Sequence, residues 1–274
     1  MGHIYLQRRN NILISRVFSI VKIFSGCYNE LIIDIFGGEN MISVALAAYK
    51  GEKYIYEQIK SILPQLAPGD EIIVSDDRPG GITEKIVRKM MEKDNRIKYV
   101  EGKGKGVVAN FVNAIRHCHG DKIFLCDQDD VWLPDKVKFV MREFENGADL
   151  VLHNAYVTDK KLRITDYSFF ELRGSRKGIM HNIVKNSYMG CCMAFDRKML
   201  KKIMPVPKSV PMHDQWIGLI CEIYGKVVFL DQPLIYHRMH GSNVTGTSKA
   251  SFAQKAEWRR YLVTRLYRRV IFKK

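Results

Sequence analysis

Asp127, Asp129 and Asp130 fall within four positions of one another in the stretch Cys126-Asp127-Gln128-Asp129-Asp130-Val131-Trp132-Leu133-Pro134-Asp135. Just upstream, Lys122-Ile123-Phe124-Leu125 has the apolar character of a buried strand, so the carboxylates crowd a strand end. Like charges this close are costly unless a cation sits among them. Oxygen ligands suit a hard divalent ion, Mg2+ or Mn2+, and with it a phosphate. The same residues admit another reading: an acidic turn capping a helix that starts near Pro134, since Asp is a favourable cap.

The elements that must position these carboxylates alternate from Met41 onward. Ile42-Ser43-Val44-Ala45-Leu46-Ala47 reads as a strand. Residues 52–63 read as a helix with Tyr56, Ile59 and Leu63 on one face, and Pro64 helps to end it. Glu71-Ile72-Ile73-Val74-Ser75 is a second strand, ending at Asp76-Asp77. Thr83 is expected to cap a helix over 83–92. A short strand at 97–100 follows, then a loop punctuated by Gly102, Gly104 and Gly106. Val108, Phe111 and Ile115 mark a helix face ahead of the strand into Asp127. Strand and helix alternating at these lengths imply a parallel sheet with helices packed on it. Ligands of such sheets bind beyond the carboxyl ends of the strands. The second half is less regular, with strands expected at 149–157, 189–195, 227–230 and 234–237. A helix at 216–224 is led by His213-Asp214.

Net charge is +15, from Lys+Arg 44 against Asp+Glu 29, which calls for a polyanionic partner. A phosphorylated substrate, an acidic membrane surface and nucleic acid all qualify. No basic low-complexity arm and no zinc-finger, homeodomain or RNA-binding signature is present, which argues against nucleic acid. The six cysteines, Cys27, Cys118, Cys126, Cys191, Cys192 and Cys221, form no Cys-x-x-Cys pair and read as free buried thiols of a reducing cytoplasm. His117-Cys118-His119 fits no common zinc spacing and reads as a helix end. Residues 1–40 carry an apolar stretch broken by Arg16 and Lys22, short of the roughly 18 apolar residues that span a bilayer. They are expected to be an extension outside the functional domain. The last segment, 252–274, is basic, and Phe252, Ala256, Val263, Leu266 and Val270 can share one helical face. That pattern suits a helix lying on an anionic membrane, with a docked terminal helix as the alternative.

In order along 41–246, these pieces resemble the family 2 glycosyltransferases. The segment Ala47-Ala48-Tyr49-Lys50-Gly51-Glu52 is similar to the family's first strand and nucleotide loop. Ser75-Asp76-Asp77 resembles its base-recognition carboxylates, and Gly106 with Asn110-Phe111 the loop and helix that approach the nucleotide. Asp127-Gln128-Asp129-Asp130 with Trp132 resembles the metal motif, and Met189-Gly190-Cys191 the acceptor-side strand. His213-Asp214-Gln215-Trp216 sits where the family carries its catalytic carboxylate. Together with Tyr236-His237-Arg238-x-His240-Gly241-x-Asn243, this variant is similar to bacterial enzymes that build O-antigen and capsule chains, rhamnosyltransferases among them. Lys50 and Arg78-Pro79 depart from the family's usual residues.

The resemblance implies a GT-A fold: α/β, with a mostly parallel central sheet and helices on both faces. It implies an inverting, metal-dependent glycosyltransferase that takes a sugar from a nucleotide diphosphate. Asp214 would be the catalytic base. Asp129 would hold Mg2+ or Mn2+ with Asp127 or Asp130, and Asp127 could bond the ribose instead. His240 would complete the metal shell or, with Arg238, reach the diphosphate. Ala47, Tyr49, Glu52, Asp76, Asp77 and Asn110 would line the nucleotide-sugar site. The implied acceptor is a lipid-linked saccharide at the cytoplasmic face of the inner membrane, where the protein would be peripheral. Against this stand a basic nucleic-acid-binding protein, a nucleotidyltransferase and a catalytically inactive nucleotide-sugar-binding module.

Overall fold

The computed structural model describes residues 40–208, 210–240 and 251–272. Their elements belong to the unit Met41–Lys274. The expected extension before Asn40, the Gly241 and Asn243 end of the terminal motif, Cys27 and Lys273-Lys274 lie outside the described residues.

Strand β1 (Ile42–Ala48) is buried along its whole length, as a near-continuous apolar strand in the middle of a parallel sheet should be. Its one hydroxyl, Ser43 Oγ, donates to Glu71 at 2.6 Å and so is not left unsatisfied. β2 (Glu71–Asp76) and β4 (Lys122–Asp127) flank β1, both parallel to it, and β3 (Ile97–Glu101) continues beyond β2. The register sets Ala47 level with Ser75 on one side and Asp127 on the other, so three strands end at one edge. Helices α1 (Ile55–Ile62), α2 (Ile82–Met91) and α3 (Val107–His117) make the crossovers. α1 is shorter than expected: a turn on the Gly51 carbonyl precedes it, and a 3₁₀ turn containing Pro64 follows. Gly81, not Thr83, caps α2. Thr83 is buried, and its Oγ1 accepts from Gly51 N at 2.9 Å.

The second half contributes β5 (Val131–Trp132), α4 (Lys136–Glu145), β6 (Leu150–Thr158), β7 (Ile164–Asp166), α5 (Phe169–Arg173) and α6 (Ile179–Val184). Beyond them come β8 (Met193–Asp196), α7 (Leu200–Ile203), α8 (His213–Tyr224), β9 (Val227–Arg238) and α9 (Phe252–Phe272). Sheet order is β3-β2-β1-β4-β8-β6-β9-β5, with β7 on β6. The parallel pattern holds through β4. β8 then enters antiparallel to both β4 and β6, and β9 runs parallel to β6. The strand expected at 189–195 is a 3₁₀ turn, Gly190–Cys192, before β8. The two strands expected at 227–230 and 234–237 are one strand, irregular in register where Pro233 faces Asn154. β5 pairs antiparallel with β9, Val131 opposite Tyr236, which carries the 128–130 loop to the residues that follow β9.

One alternative is thereby decided. α4 begins after Asp135, which has φ 64 and makes no side-chain cap bond. Asp129 and Asp130 have partners on and beyond β9, so the acidic run is no helix cap. α9 docks on the domain through Leu262, Leu266 and Arg269, all buried. The Arg269 guanidinium donates to the carbonyls of Lys202, Met204 and Pro205, which turns the helix away from the face expected of it and leaves Val263 and Val270 exposed. Among the described residues no helix is long and apolar enough to cross a membrane. Cys118, Cys126, Cys191, Cys192 and Cys221 are free and buried.

The loop after β3 crosses the end of β2 so closely that a Cβ on Gly102 would stand 2.6 Å from Asp77 Cα. Gly102→Ala is therefore expected to cost about 2 kcal/mol and to lower Tm by roughly 5 °C. Gly69→Ala, with nothing within 4 Å of the added atom, should leave Tm unchanged or higher in the same thermal melt.

Candidate active site

The ends of β1 and β4 are locked by one side chain. Gln128 Oε1 accepts from Tyr49 N at 2.8 Å, and its Nε2 donates to Tyr49 O at 3.0 Å. The amide thus pairs with the Tyr49 backbone as a strand would, and the Tyr49 side chain is exposed. Gly51 lies against the same amide: a Cβ there would meet Gln128 Oε1 at 2.2 Å. Glu52 accepts from Thr83 Oγ1 at 3.1 Å, which fastens the loop to α2. Ala47 is buried level with Asp127.

At the end of β2, Asp77 accepts from Gly104 N at 2.8 Å with one oxygen and from Gly106 N at 2.7 Å with the other. Its carboxylate holds the glycine loop where a nucleotide base was expected. Asp76 is fully buried and accepts from Arg78 N and the Tyr99 hydroxyl, and burial raises its pKa. Asn110 donates to the carbonyls of Ala48 and Ser75 and accepts from Ser75 Oγ. Asp76 and Asn110 thus brace the strand ends, with these polar atoms bonded inward.

Asp127 and Asp129 are partly exposed, whereas Asp130 is buried. Burial, then the charges of Asp129 and Asp130, hold Asp127 well above the ordinary carboxylate range. Asp129 is raised by burial and by Asp130, against the pull of His240, whose Nε2 lies 2.7 Å from its Oδ2. Burial also opposes charge on Asp130, but His237 outweighs it. The His237 Nδ1 lies 2.9 Å from Asp130 Oδ1, Arg238 N donates to the same oxygen, and the pKa of Asp130 is lowered. His237 in turn, despite burial, is lifted to about 9 by Asp130.

Arg238 is 4% exposed. Its guanidinium donates to the carbonyls of Asp129 and Lys160, pairs with Glu57 at 2.5 Å and lies over the Tyr54 ring, which also stacks on His240. It braces the acidic loop through the Asp129 carbonyl. Asp130 is buried and bonded to His237 through Oδ1, with its Oδ2 unpartnered among the described residues. Among the described residues, the donor atoms of Asp130, Cys191 and His237 lie within 4.8 Å of one another, all buried. A thiol in a closed site is a poor home for Mg2+ or Mn2+. Asp127, Asp129 and His240 are more open, and His240 Nε2 lies 2.7 Å from Asp129 Oδ2, but among the described residues only the Asp130-Cys191-His237 group gathers three ligand atoms so closely.

Asp214 is buried in the first turn of α8. Burial raises its pKa to about 6, against hydrogen bonds from Gln215 N at 2.5 Å and Asn186 Nδ2 at 3.1 Å and the more distant charge of Arg173. Asp214, 87 positions from Asp127 in sequence, is the smallest of the charges that raise the pKa of Asp127, after burial, Asp129 and Asp130. Between them stands the 190–192 turn, pinned by Lys136 Nζ donating to Cys191 O at 3.0 Å. His213, stacked on Phe111 at 3.9 Å, has both ring nitrogens unpartnered among the described residues, and burial lowers its pKa to about 3. Sequence reasoning missed Asn186, Gln128, Tyr54 and Glu57. Only the Gln128 position, inside the acidic run, carried a local signal.

A family model described as Glycosyl transferase family 2 matches residues 43–204, which takes in the acidic run and stops before Asp214. An uncharacterized glycosyltransferase of Nostoc sp. is 24% identical over 215 residues, 74% of this chain and 66% of that protein. Chondroitin synthase of Escherichia coli is 30% identical over 122 residues, 44% of this chain but 18% of the synthase. The chain therefore spans less than two thirds of either relative. Among solved structures, S. aureus TarS 1–349 in complex with UDP-GlcNAc matches with a TM-score of 0.66 and 18% identity, over 82% of this chain and 66% of that one. At that identity the likeness is one of fold, the GT-A arrangement.

The ionisation of Asp214 can be checked without substrate. Carboxyl NMR should give it a midpoint near pH 6. Asn186→Ala removes a bond to the charged form and should move that midpoint up by roughly one unit. An ordinary carboxylate midpoint in the unaltered protein would contradict the burial argument.

Proposed function

The chain belongs to glycosyl transferase family 2, and from that premise we propose that it moves a sugar from a nucleotide-diphosphate donor to a hydroxyl of a saccharide acceptor, inverting the anomeric centre. The observation that carries this reading is that the acidic run and the buried Asp214 meet one turn, the first through His237 at Cys191 and the second at Gly190. Transfer needs charge neutralised on a departing diphosphate and a proton taken from the incoming hydroxyl. The two groups answer these two needs.

Asp214 is the base of the proposed reaction. A pKa near 6 keeps it ionised at neutral pH while making it a better proton acceptor than a free Asp. Gln215 N and Asn186 hold Oδ1 and so fix the carboxylate's orientation. The acceptor oxygen forms its bond to the anomeric carbon as the bond to the diphosphate oxygen breaks. The hydroxyl proton passes to Asp214 and the electron pair leaves with the nucleoside diphosphate. Asp127, Asp129 and His240 would hold the cation, and Mg2+ or Mn2+ bound there would supply charge neutralisation to the leaving group. Tyr49 and the glycine loop held by Asp77 border the nucleotide. A fold neighbour crystallised with UDP-GlcNAc supports a uridine-type sugar as the first donor to assay. The proposed setting is bacterial surface polysaccharide, O-antigen or capsule, a rhamnosyl donor among the candidates. The acceptor would be a lipid-linked saccharide presented at the cytoplasmic face of the inner membrane.

Asp214→Asn should lower kcat by about a hundred- to ten-thousand-fold with nucleotide-sugar affinity little changed. Activity within tenfold of the unaltered enzyme removes Asp214 from the mechanism. Because the base works deprotonated, kcat/KM should fall as pH drops through about 6 and level off above it.

The cation makes a separate demand. A chelator should abolish release of nucleoside diphosphate and Mg2+ or Mn2+ should restore it, with His240→Ala needing more metal to do so. Undiminished turnover in chelator excludes the cation from the chemistry.

A further inference from the structure

Docking α9 on the domain leaves a second apolar stripe facing outward. Val263, Tyr267, Val270 and Ile271 follow one another at i, i+4, i+7 and i+8, the spacing of one helical side. They are 45%, 62%, 38% and 55% exposed. An inner face of Leu262, Leu266 and Arg269 already satisfies the helix's contact with the domain, so the outer stripe is not needed for docking. A scattered exposed apolar side chain is ordinary, but an ordered row of them is not.

The charges around this stripe have one sign. From Arg259 to Phe272 the helix carries Arg259, Arg260, Arg265, Arg268 and Arg269 and no acid. Arg259 Nη2 donates to Val184 O at 2.8 Å, which brings α6 alongside. There Met180 and Val184 are also exposed, 76% and 59%, with Lys177 and Lys185 at either end of the helix. On the other flank of α9, Arg265, Arg268 and Phe272 line a cavity of about 530 Å³ against Pro205 and Trp216, large enough for a phosphate headgroup. Arg260, three residues before Val263, lies on the stripe itself and Arg268 on its flank, so basic and apolar groups reach one surface together, as on a helix that lies in a bilayer interface.

We propose that the outer face of α9, extended by α6, is the docking surface for an anionic lipid bilayer. Tyr267 and Ile271 enter the interface, and Arg260 and Arg268 pair with lipid phosphates above it. Two residues beyond α6, Asn186 holds Asp214. Docking through this surface therefore places the base near the membrane from which a lipid-carried acceptor would come. The inference deepens the membrane part of the proposed function and rests on it only for that last consequence.

The test is sedimentation of the full chain with vesicles, run beside nucleotide-sugar binding on the same preparations. Vesicles of phosphatidylcholine with phosphatidylglycerol should carry the protein down, and phosphatidylcholine alone should not. Added salt should release it, while inorganic phosphate at matched ionic strength should release no more than chloride does. Arg260→Gln with Arg268→Gln should weaken partition about thirty-fold. Tyr267→Asp with Ile271→Asp, both at exposed positions, should do the same or more. Variants that bind vesicles like the unaltered chain overturn the proposal. So does equal binding to neutral vesicles, release by free phosphate alone, or a concentration-dependent dimer that the stripe variants dissolve. Loss of vesicle binding with donor binding intact separates this surface from the transfer site, and absence of vesicle binding beside normal turnover sinks this inference alone.

Discussion

Repulsion among Asp127, Asp129 and Asp130 is the constraint around which the second half of the chain is arranged. The strand that ends in them is central and cannot yield, so compensation must come to it. β9 brings that compensation by pairing antiparallel with β5, whose two residues follow the acidic loop directly. His237 and Arg238 N then answer Asp130, and His240 answers Asp129. Asp127 is left to burial and to its neighbours' charges, and its pKa stands well above the ordinary range.

The carboxylate on the opposite side is set by other means. A helix N-terminus favours the charged form of an acid, and hydrogen bonds from Gln215 N and Asn186 do so too. Burial outweighs them and leaves Asp214 near 6. The adjacent His213, kept neutral by burial under Phe111, places no positive charge beside it. The acidic loop and Asp214 are both held by neighbouring side chains. Lys136 pins the turn between them, and Arg238 stands behind the loop with Glu57 and Tyr54.

Several polar residues that look like ligand contacts prove to face inward. Asn110, Asp76 and Arg238 carry the right chemistry for a nucleotide or a diphosphate. In each case nearby backbone groups at strand and loop ends need partners, and the side chain supplies them. A parallel sheet exposes unpaired carbonyls and amides where its strands stop, so this edge needs polar side chains whether or not a ligand binds there.

Local pattern determined the alternating first half, β1 through β4, because apolar strands buried on both faces and helices with one apolar side are short-range signals. It also determined the acidic strand end and the resemblance that singled out Asp214. The 3₁₀ turn at 190–192 and the single strand from Val227 to Arg238 were not legible, since a buried turn and an irregular strand are as apolar as regular ones. Nor did periodicity choose the buried side of α9: apolar residues lie on two sides of that helix, and the carbonyls at 202–205 that recruit Arg269 decided between them. Tertiary structure alone decided which of the three crowded acids is paired with which histidine, and that Asp214 stands in the field of Asp127. Such pairings join residues about a hundred positions apart, and the field between charges depends on distance and burial, neither of which is written in residue order.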